Sequence, residues 1–217
     1  MDILEIMKRR HSVRQYEVRA IEGDTRRALE TEVKAINRET GLSIQLLFDE
    51  PKCFDSGMAH YGRFSGVTNY IALVGPKGEN LDEQCGYWGE KLVLLAQSLG
   101  LNTCWVAMTY GKSAAVVRKG EKEVCLISLG YGKNQGSSHQ GKTLEQVTRV
   151  EGEMPDWFRR GMEAVLLAPT AVNQQKFLFI CRGDSVSAQV SGFGFYAKVD
   201  LGIVKYHFEA VTGRKVS

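Results

Sequence analysis

The stretch around which we expect the chain to be organised reads Lys8-Arg9-Arg10-His11-Ser12-Val13-Arg14. It holds four cations in seven residues. The apolar residues before it recur at helical spacing behind Asp2, a residue type suited to capping a first helical turn. The pattern therefore predicts a short helix, with the cations at its C-terminal end and in the turn that follows.

The cations of this stretch have two interpretations. Arg10 and Arg14 carry planar guanidinium groups that match the oxygens of a phosphate or of a planar cofactor ring, and His11 and Ser12 add neutral donors. Alternatively, the cations complement the negative end of the helix dipole and stay in solvent. The stretch taken alone favours the second interpretation.

Composition limits the class of protein. The 217 residues are 43% apolar and 24% charged, which suits one large domain covering residues 1–217. The net charge of +3 is too small to indicate a nucleic-acid partner or an anionic membrane. No apolar run reaches the roughly 18 residues that cross a bilayer, and Asp2 and Glu5 interrupt any signal-peptide pattern. We therefore expect a cytoplasmic protein with no membrane partner.

Cysteine and histidine usage argues against a metal site and against a disulfide framework. The five cysteines are dispersed without a CxxC pair, and the four histidines lack HxxxH or HxH spacing. Cys104, Cys125 and Cys181 lie in apolar runs and are predicted to be small core residues. We predict no metal.

Helical periodicity recurs in four later segments. The predicted helices cover residues 25–40, residues 80–99, the segment from Pro155 to Pro169, and the segment that begins at Asp200. Asn80 and Glu83 have the form of a capping box. The predicted buried stripe of that helix consists of Trp88, Leu92, Leu95, Ala96 and Leu99. In the last helix, His207 is predicted to be a core or interface residue, not a base.

Alternating and apolar runs predict strands between these helices. The predicted strands cover residues 43–48, 70–74, 122–129, 177–181 and 186–190. Gly75 and Pro76 are predicted to end the second strand. Residues 51–66 have no period and predict a loop, in which Tyr61, Arg63 and Phe64 line a site or merely cover one.

A glycine-rich segment follows the strand at residues 122–129. Gly130, Gly132 and Gly136 form the pattern GxGxxxG, which resembles a dinucleotide-binding loop, but such a loop must open directly into a helix. Residues 133–141 are polar and glycine-rich, so we do not predict a helix there. The dinucleotide-binding interpretation is therefore disfavoured.

Four segments of the chain resemble the FMN-dependent nitroreductase family. Residues 10–16 resemble its N-terminal signature, Arg-x-Ser-x-(Arg/Lys)-x-aromatic, and residues 86–105 are similar to its central helix and the exit from it. Residues 168–175, Ala-Pro-Thr-Ala-Val-Asn-Gln-Gln, resemble the flavin-contacting turn Ala-Pro-Ser-Ala-x-Asn-x-Gln. Residues 200–204 are similar to the family's Asp-x-Gly-Ile-Ala helix. Because the turn lies so late in the chain, the resemblance is to a divergent branch of the family.

The resemblance implies which residues hold FMN. They are Arg9, Arg10, His11, Ser12 and Arg14; the backbone of Ala107 and Met108; Lys142; and Pro169, Thr170, Ala171, Asn173 and Gln175. The family's phosphate-binding arginine corresponds to Gly141 here. Lys142 either replaces that arginine or only flanks the predicted capping box of Thr143 and Gln146.

The same resemblance implies a fold and an activity. The fold is α+β, with a mostly antiparallel sheet sandwiched by helices, and FMN is bound without a covalent bond. NAD(P)H would deliver hydride to flavin N5, a nitroaromatic or quinone-type acceptor would take the electrons, and Arg14 would stabilise the reduced flavin. No catalytic side chain is required, and a homodimer is expected. The alternatives are another FMN enzyme on this fold, such as a dehalogenase, an azoline oxidase or a flavin-cleaving enzyme, and a non-catalytic flavin-binding protein.

Overall fold

The structure is a computed structural model that describes residues 2–217. These residues form seven α-helices, seven strands and two short 3₁₀ turns. The helices are α1 (Ile3–Arg9), α2 (Gly23–Thr40), α3 (Gly57–Tyr61), α4 (Leu81–Ser98), α5 (Leu144–Val147), α6 (Asp156–Val165) and α7 (Ala197–Thr212). The strands are β1 (Gln45–Leu47), β2 (Asn69–Pro76), β3 (Asn102–Val106), β4 (Glu121–Gly130), β5 (Thr148–Glu151), β6 (Phe177–Arg182) and β7 (Ser185–Val190). The predicted α+β class is confirmed.

The described residues group into two compact units. The first unit contains residues 2–8, Asp82–Glu90 and Ser138–Ser217, and the second contains Arg9–Leu81 and Lys91–Ser137. Helix α4 thus supplies residues to both units. The assignment of the whole chain to one domain stays a prediction. Within residues 2–217, no helix combines the length and the apolar character that a bilayer crossing requires.

The second unit is built on an antiparallel sheet with the strand order β1-β2-β4-β3. Its centre is buried along nearly all of β2 and most of β4. Helix α2 buries Leu29, Val33 and Ile36, which recur at helical spacing, and it ends at Gly41 in the left-handed conformation (φ 74°). The Asn37 side chain then bonds both the N–H and the carbonyl of Ile44 at 2.9 and 2.8 Å, which fixes the start of β1 relative to α2.

Three local predictions are wrong. Strand β2 continues through Gly75 and Pro76, because its pairing with β4 extends to the Pro76–Glu121 pair and a proline is tolerated at the end of a strand. Residues 51–66 are not a plain loop, since they contain the 3₁₀ turn Lys52–Phe54 and helix α3. Asn80 makes no side-chain capping bond to α4, because its own backbone is already helical (φ −96°, ψ −3°).

The first unit contains the sheet β5-β6-β7, in which β5 and β6 are parallel and β6 and β7 antiparallel. Strand β5 was not predicted, because its four residues carry one large apolar side chain, Val150. Helices α6 and α7 pack beside the sheet through an aromatic cluster. The Phe208 ring lies 5.7 Å from Phe158 and 5.4 Å from Phe179, measured between centroids.

Helix α7 meets the first part of α4 at two glycines. A Cβ atom on Gly202 would lie 2.0 Å from the Glu83 carbonyl oxygen, and one on Gly86 would lie 2.0 Å from the Val199 carbonyl oxygen. Real Cβ atoms do not approach an oxygen so closely, so each helix needs glycine where the other crosses it. The two backbones are therefore in direct contact.

A buried acid and histidine join the same two helices. His207 Nε2 lies 2.9 Å from Glu90 Oε1, and Nδ1 lies 2.8 Å from the Ala164 carbonyl oxygen. Both side chains are completely buried. Because a carbonyl only accepts, Nδ1 carries a proton. His207 is a core residue as predicted, whereas the predicted stripe of α4 is partly wrong: it omitted Glu90, and Trp88, Leu95 and Leu99 are only half-buried.

Gly202→Ala is expected to destabilise the protein by about 3 kcal/mol, because the added methyl group must push the α4 backbone away. Urea unfolding followed by circular dichroism measures this change. Gly78→Ala is the matched control, since a Cβ atom at Gly78 meets nothing within 4 Å. Equal unfolding midpoints for the two variants would contradict the proposed helix contact.

Glu90→Leu is expected to cost about 3–5 kcal/mol, because it leaves the His207 ring buried without its carboxylate partner. Glu90→Gln should recover most of this loss, since its amide N–H can donate to Nε2 of a histidine whose Nδ1 is protonated. Denaturant unfolding compares the variants.

The control for this pair is Glu151→Leu, which makes the same substitution in the exposed ion pair of Glu151 with Arg182. That variant should lose less than about 1 kcal/mol. A loss at Glu90 no larger than the loss at Glu151 would show that the buried pair does not stabilise the fold.

Candidate functional site

The basic stretch continues past helix α1 as an extended segment of the second unit. Helix α1 ends at Arg9, and residues 12–16 then run beside other segments. The Val13 N–H donates to the Thr103 carbonyl at 3.0 Å, and the Tyr16 N–H donates to the Ser65 carbonyl at 2.9 Å. The predicted short helix that ends within the cations is present, but the predicted turn after it is wrong: the chain continues as an extended segment that is fixed on two sides.

Tyr16 anchors this segment. Its side chain is 1% exposed, and its hydroxyl donates to the Val13 carbonyl at 2.6 Å and lies 2.8 Å from the Ser128 hydroxyl. Burial raises the pKa of Tyr16 well above its ordinary value, so the phenol stays protonated. A neutral phenol that bonds the backbone three residues earlier holds the segment in one conformation.

Three of the predicted FMN-binding residues lie near one buried thiol. Burial raises the pKa of Cys104, whereas the charge of Arg14, a hydrogen bond from the Ser12 hydroxyl and the charge of Arg10 each lower it. The structure therefore brings Arg10, Ser12 and Arg14 together. Arg10 is buried (4% exposed), which shows that this cation is not a solvated helix-end charge. Arg14 is exposed, as is Arg9.

We call Arg10, Ser12 and Arg14 the basic cluster. Two uncharged rings lie beside it, the phenyl ring of Phe64 and the imidazole of His11. The Arg14 guanidinium lies 5.9 Å from the centre of the buried Phe64 ring. Burial and the charge of Arg10 lower the pKa of His11, so its imidazole is neutral near pH 7. The cluster thus presents fixed cations together with neutral hydroxyl and imidazole groups.

The glycine-rich segment after β4 passes against this cluster and is not helical. A Cβ atom on Gly136 would lie 2.8 Å from the His11 Cβ atom and 2.9 Å from the Ser12 carbonyl oxygen. Residues 131–143 contain no helix, which argues against the dinucleotide-binding interpretation, as expected from the sequence. The glycine is needed here for close approach of the two segments.

The exit from β3 holds the two residues that were predicted to offer backbone donors. Strand β3 ends at Val106, Ala107 is half-buried, and the Met108 side chain is 66% exposed. Further along the same segment, the Ala114 N–H donates to the Tyr70 hydroxyl at 2.9 Å. This exit belongs to the second unit, like the basic cluster.

The turn at residues 168–175 belongs to the first unit and has an uncommon backbone. Val172, Asn173 and Gln175 adopt left-handed conformations, with φ values of 45°, 55° and 46°. This region is unfavourable for residues other than glycine, and most of all for a β-branched residue such as Val172. Strain of this kind often accompanies ligand sites.

The amide side chains of the turn bond to the chain itself. Gln175 Oε1 accepts from the Lys142 N–H at 2.8 Å, and its Nε2 donates to the Gln140 carbonyl at 3.1 Å and to Asn173 Oδ1 at 2.9 Å. Lys142 Nζ donates to the Gln175 carbonyl at 2.7 Å. The structure therefore brings Lys142, Asn173 and Gln175 together, and the predicted capping box of Thr143 and Gln146 forms directly after Lys142.

A buried aspartate closes the start of the same turn. Asp200 is 2% exposed; its Oδ1 accepts from the Ala171 N–H at 2.9 Å, and its Oδ2 accepts from Gln174 Nε2 at 2.7 Å. Thr170 Oγ1 accepts from the Gln175 N–H at 3.1 Å. Burial raises the pKa of Asp200 to about 6, although both hydrogen bonds oppose the rise.

Sequence reasoning missed the role of Asp200 in this turn. It placed Asp200 in a helix motif and did not connect it with the turn 29 residues earlier. The available signal was an acidic residue inside an otherwise apolar run, Val199 to Val204, because such a residue must find buried partners. Within residues 2–217, no group of three or more His, Cys, Asp or Glu side chains is arranged to hold a metal ion.

Comparison with known proteins agrees with the resemblance of the sequence. The family model described as "Putative TM nitroreductase" matches residues 2–212. The crystal structure of a "putative nitroreductase" from Thermotoga maritima is 21% identical and covers 97% of this chain and 83% of its own, with a TM-score of 0.68. A second one, from Desulfovibrio desulfuricans and in complex with FMN, is 20% identical and covers 70% of this chain and 98% of its own, with a TM-score of 0.54. A search of curated proteins gave no match.

The raised pKa of Asp200 predicts a pH-dependent stability. Between pH 3.8 and about pH 6 the folded protein holds a proton that the unfolded chain releases, so the free energy of unfolding falls as pH rises through this window. Relative to Asp200→Asn, the wild-type protein should lose roughly 2–3 kcal/mol from pH 4 to pH 6.5, and the difference should then be constant. Urea unfolding at several pH values measures this.

Asp184→Asn is the matched control, because the Asp184 side chain is 90% exposed. The difference between this variant and the wild type should not change with pH in the same window. A constant difference between wild type and Asp200→Asn would show that Asp200 is not desolvated in the folded protein.

Proposed function

The chain belongs to the "Putative TM nitroreductase" family, a family of oxidoreductases, and on that premise we propose that it binds FMN and uses it to transfer electrons. The FMN complex of the relative from Desulfovibrio desulfuricans, which has the same fold, supports this choice of cofactor. The electron donor in the proposal is NADH or NADPH. The acceptor is a small nitroaromatic or quinone-type compound.

The basic cluster is the observation that carries the proposal. Arg10 and Arg14 place two permanent cations beside the Ser12 hydroxyl, and Arg10 is held in a buried position. An arginine fork together with a hydroxyl matches phosphate oxygens. We assign Arg9, Arg10, His11, Ser12 and Arg14 to FMN, with the phosphate as the principal partner of Arg10 and Ser12 and the flavin ring as that of Arg14.

The remaining contacts are assigned from the resemblance and from the local geometry of each segment. Pro169, Thr170 and Ala171 supply the backbone of the turn, and Lys142 supplies a cation whose position is fixed by the Gln175 carbonyl. Asn173 and Gln175 contribute mainly by holding the turn, since their amide groups bond Gln140, Lys142 and each other. The backbone N–H groups of Ala107 and Met108 are assigned to the flavin ring.

The chemistry of the proposal requires no nucleophilic side chain. When bound, FMN supplies a two-electron carrier that takes hydride at N5 and passes electrons to the acceptor. The exposed guanidinium of Arg14 would stabilise negative charge on the ring without a proton transfer. A homodimer is part of the same proposal and is tested by light scattering at several protein concentrations.

An absorption titration tests the proposal. Protein freed of flavin is titrated with FMN, and the shift of the flavin bands reports binding. NADH or NADPH is then added under anaerobic conditions, and bleaching of the bound flavin is expected, followed by recovery on addition of a nitroaromatic compound. Protein that does not take up FMN would contradict the proposal, and bound flavin that is not bleached would favour a non-catalytic flavin-binding protein.

Arg14→Ala is expected to weaken FMN binding about 10- to 100-fold, because one charge-assisted contact is lost. Arg19→Ala is the matched control, since Arg19 is an exposed arginine of the same unit that also stacks on an aromatic ring, Tyr131, at 3.8 Å. Dissociation constants come from the absorption titration at two salt concentrations. An equal loss in both variants would indicate a general effect of net charge and would contradict the assignment of Arg14.

A further inference from the structure

An exposed pair of aromatic rings lies on the loop between β7 and α7 of the first unit. The loop reads Ser191-Gly192-Phe193-Gly194-Phe195-Tyr196. The Phe193 and Phe195 side chains are 83% and 72% exposed, and their ring centroids lie 6.0 Å apart in an edge-to-face arrangement. Two large apolar side chains that touch each other and face solvent form a patch suited to binding.

The loop is held in place through its backbone, so the rings themselves are not needed to fold it. Gln174 Nε2 donates to the Phe195 carbonyl at 2.8 Å, and the Ser191 N–H donates to the Lys176 carbonyl at 3.0 Å. The Lys176 ammonium group donates to the Phe193 carbonyl. Side-chain truncation at Phe193 or Phe195 would leave all three bonds intact.

The same hydrogen bonds join the aromatic pair to the turn that we assign to the flavin. Gln174 Nε2 donates to Asp200 Oδ2 as well as to the Phe195 carbonyl, and Asp200 also accepts from the Ala171 N–H. A Cβ atom on Gly194 would lie 2.3 Å from Gln174 Oε1, so the loop packs directly on a residue of the turn. The loop that carries the rings therefore packs on the turn that we assign to the flavin.

We propose that Phe193 and Phe195 form a platform for the electron-poor aromatic ring of the acceptor, and that they select nitroaromatic over non-aromatic acceptors. This inference rests on the proposed function. The face of a phenylalanine ring is electron-rich, so it attracts the face of a ring that carries electron-withdrawing nitro groups. The Lys176 ammonium group at the base of the loop complements the oxygens of a nitro or carboxylate substituent.

Calorimetric titration of the FMN-loaded protein with 4-nitrobenzoate tests the platform, and cyclohexanecarboxylate is the probe of equal charge without an aromatic ring. The wild-type protein should bind 4-nitrobenzoate about 10-fold more tightly than the saturated acid. Phe193→Ala/Phe195→Ala should abolish that preference, and Phe193→Tyr/Phe195→Tyr should keep it. Val116→Ala, at a side chain that is 64% exposed in the second unit, is the control for loss of surface apolar area.

Steady-state kinetics give an independent result. The double alanine variant should raise KM for 4-nitrobenzoate about 10-fold, with kcat and the reduction of ferricyanide nearly unchanged. If the wild type and the double alanine variant have the same affinity and the same KM for 4-nitrobenzoate, the inference is overturned. This holds even if the variant changes the oligomeric state of the protein. The proposed function fails by a different observation, the lack of FMN uptake, and 4-nitrobenzoate binding to the flavin-free protein then decides on the platform by itself.

Discussion

The contact of helices α4 and α7 at Gly86 and Gly202 is the constraint on which the first unit depends. Without side chains at the crossing, the two backbones touch, and this contact fixes the rotation of α7 about its axis. His207, one turn and a half further along α7, then meets Glu90 of α4 in a fully buried pair. At the other end of α7, the same rotation places Asp200 against the turn at residues 168–175. The Asp200 carboxylate then bonds the Ala171 N–H and the Gln174 side chain of that turn.

In the second unit, the buried phenol of Tyr16 holds an extended segment against the sheet. This segment, residues 12–16, carries charged and polar side chains that would otherwise favour solvent. Tyr16 occupies the core and bonds Val13 and Ser128, so the segment stays against β3 and Arg10 remains buried beside Cys104. In both units a candidate site segment of irregular backbone is held by one buried polar side chain, Tyr16 in one and Asp200 in the other. A buried polar side chain suits an irregular segment, because it bonds backbone N–H or carbonyl groups that have no partner in a helix or a β-sheet.

The sequence predicted the elements whose signals are local. Helix α2 and the capping box of Thr143 and Gln146 follow from spacing and residue type within a few positions, and both formed. Strand β5 and the buried Glu90 were missed, because their placement depends on partners that lie far away in sequence. The motif of the basic stretch predicted which residues belong to the candidate site, but it did not predict that Arg10 is buried while Arg14 is exposed. Nothing in the residues 8–14 alone distinguishes a solvated arginine from one that is enclosed, since that depends on the segments packed over it.

The turn at residues 168–175 shows most clearly what residue type leaves undecided. Asn173 and Gln175 offer amide groups that suit a flavin, yet those groups can equally satisfy the backbone, and here they bond Gln140 and Lys142. Because each amide group bonds the chain, we infer that a bound flavin would be contacted mainly by the groups that the amides position, the left-handed backbone of the turn and the Lys142 cation. Gln174 of the same turn bonds the backbone of the loop that carries Phe193 and Phe195. A polar motif can therefore be retained for the shape it builds as much as for the contacts it makes, and the chemistry of the site is then carried by neighbours that no motif contains.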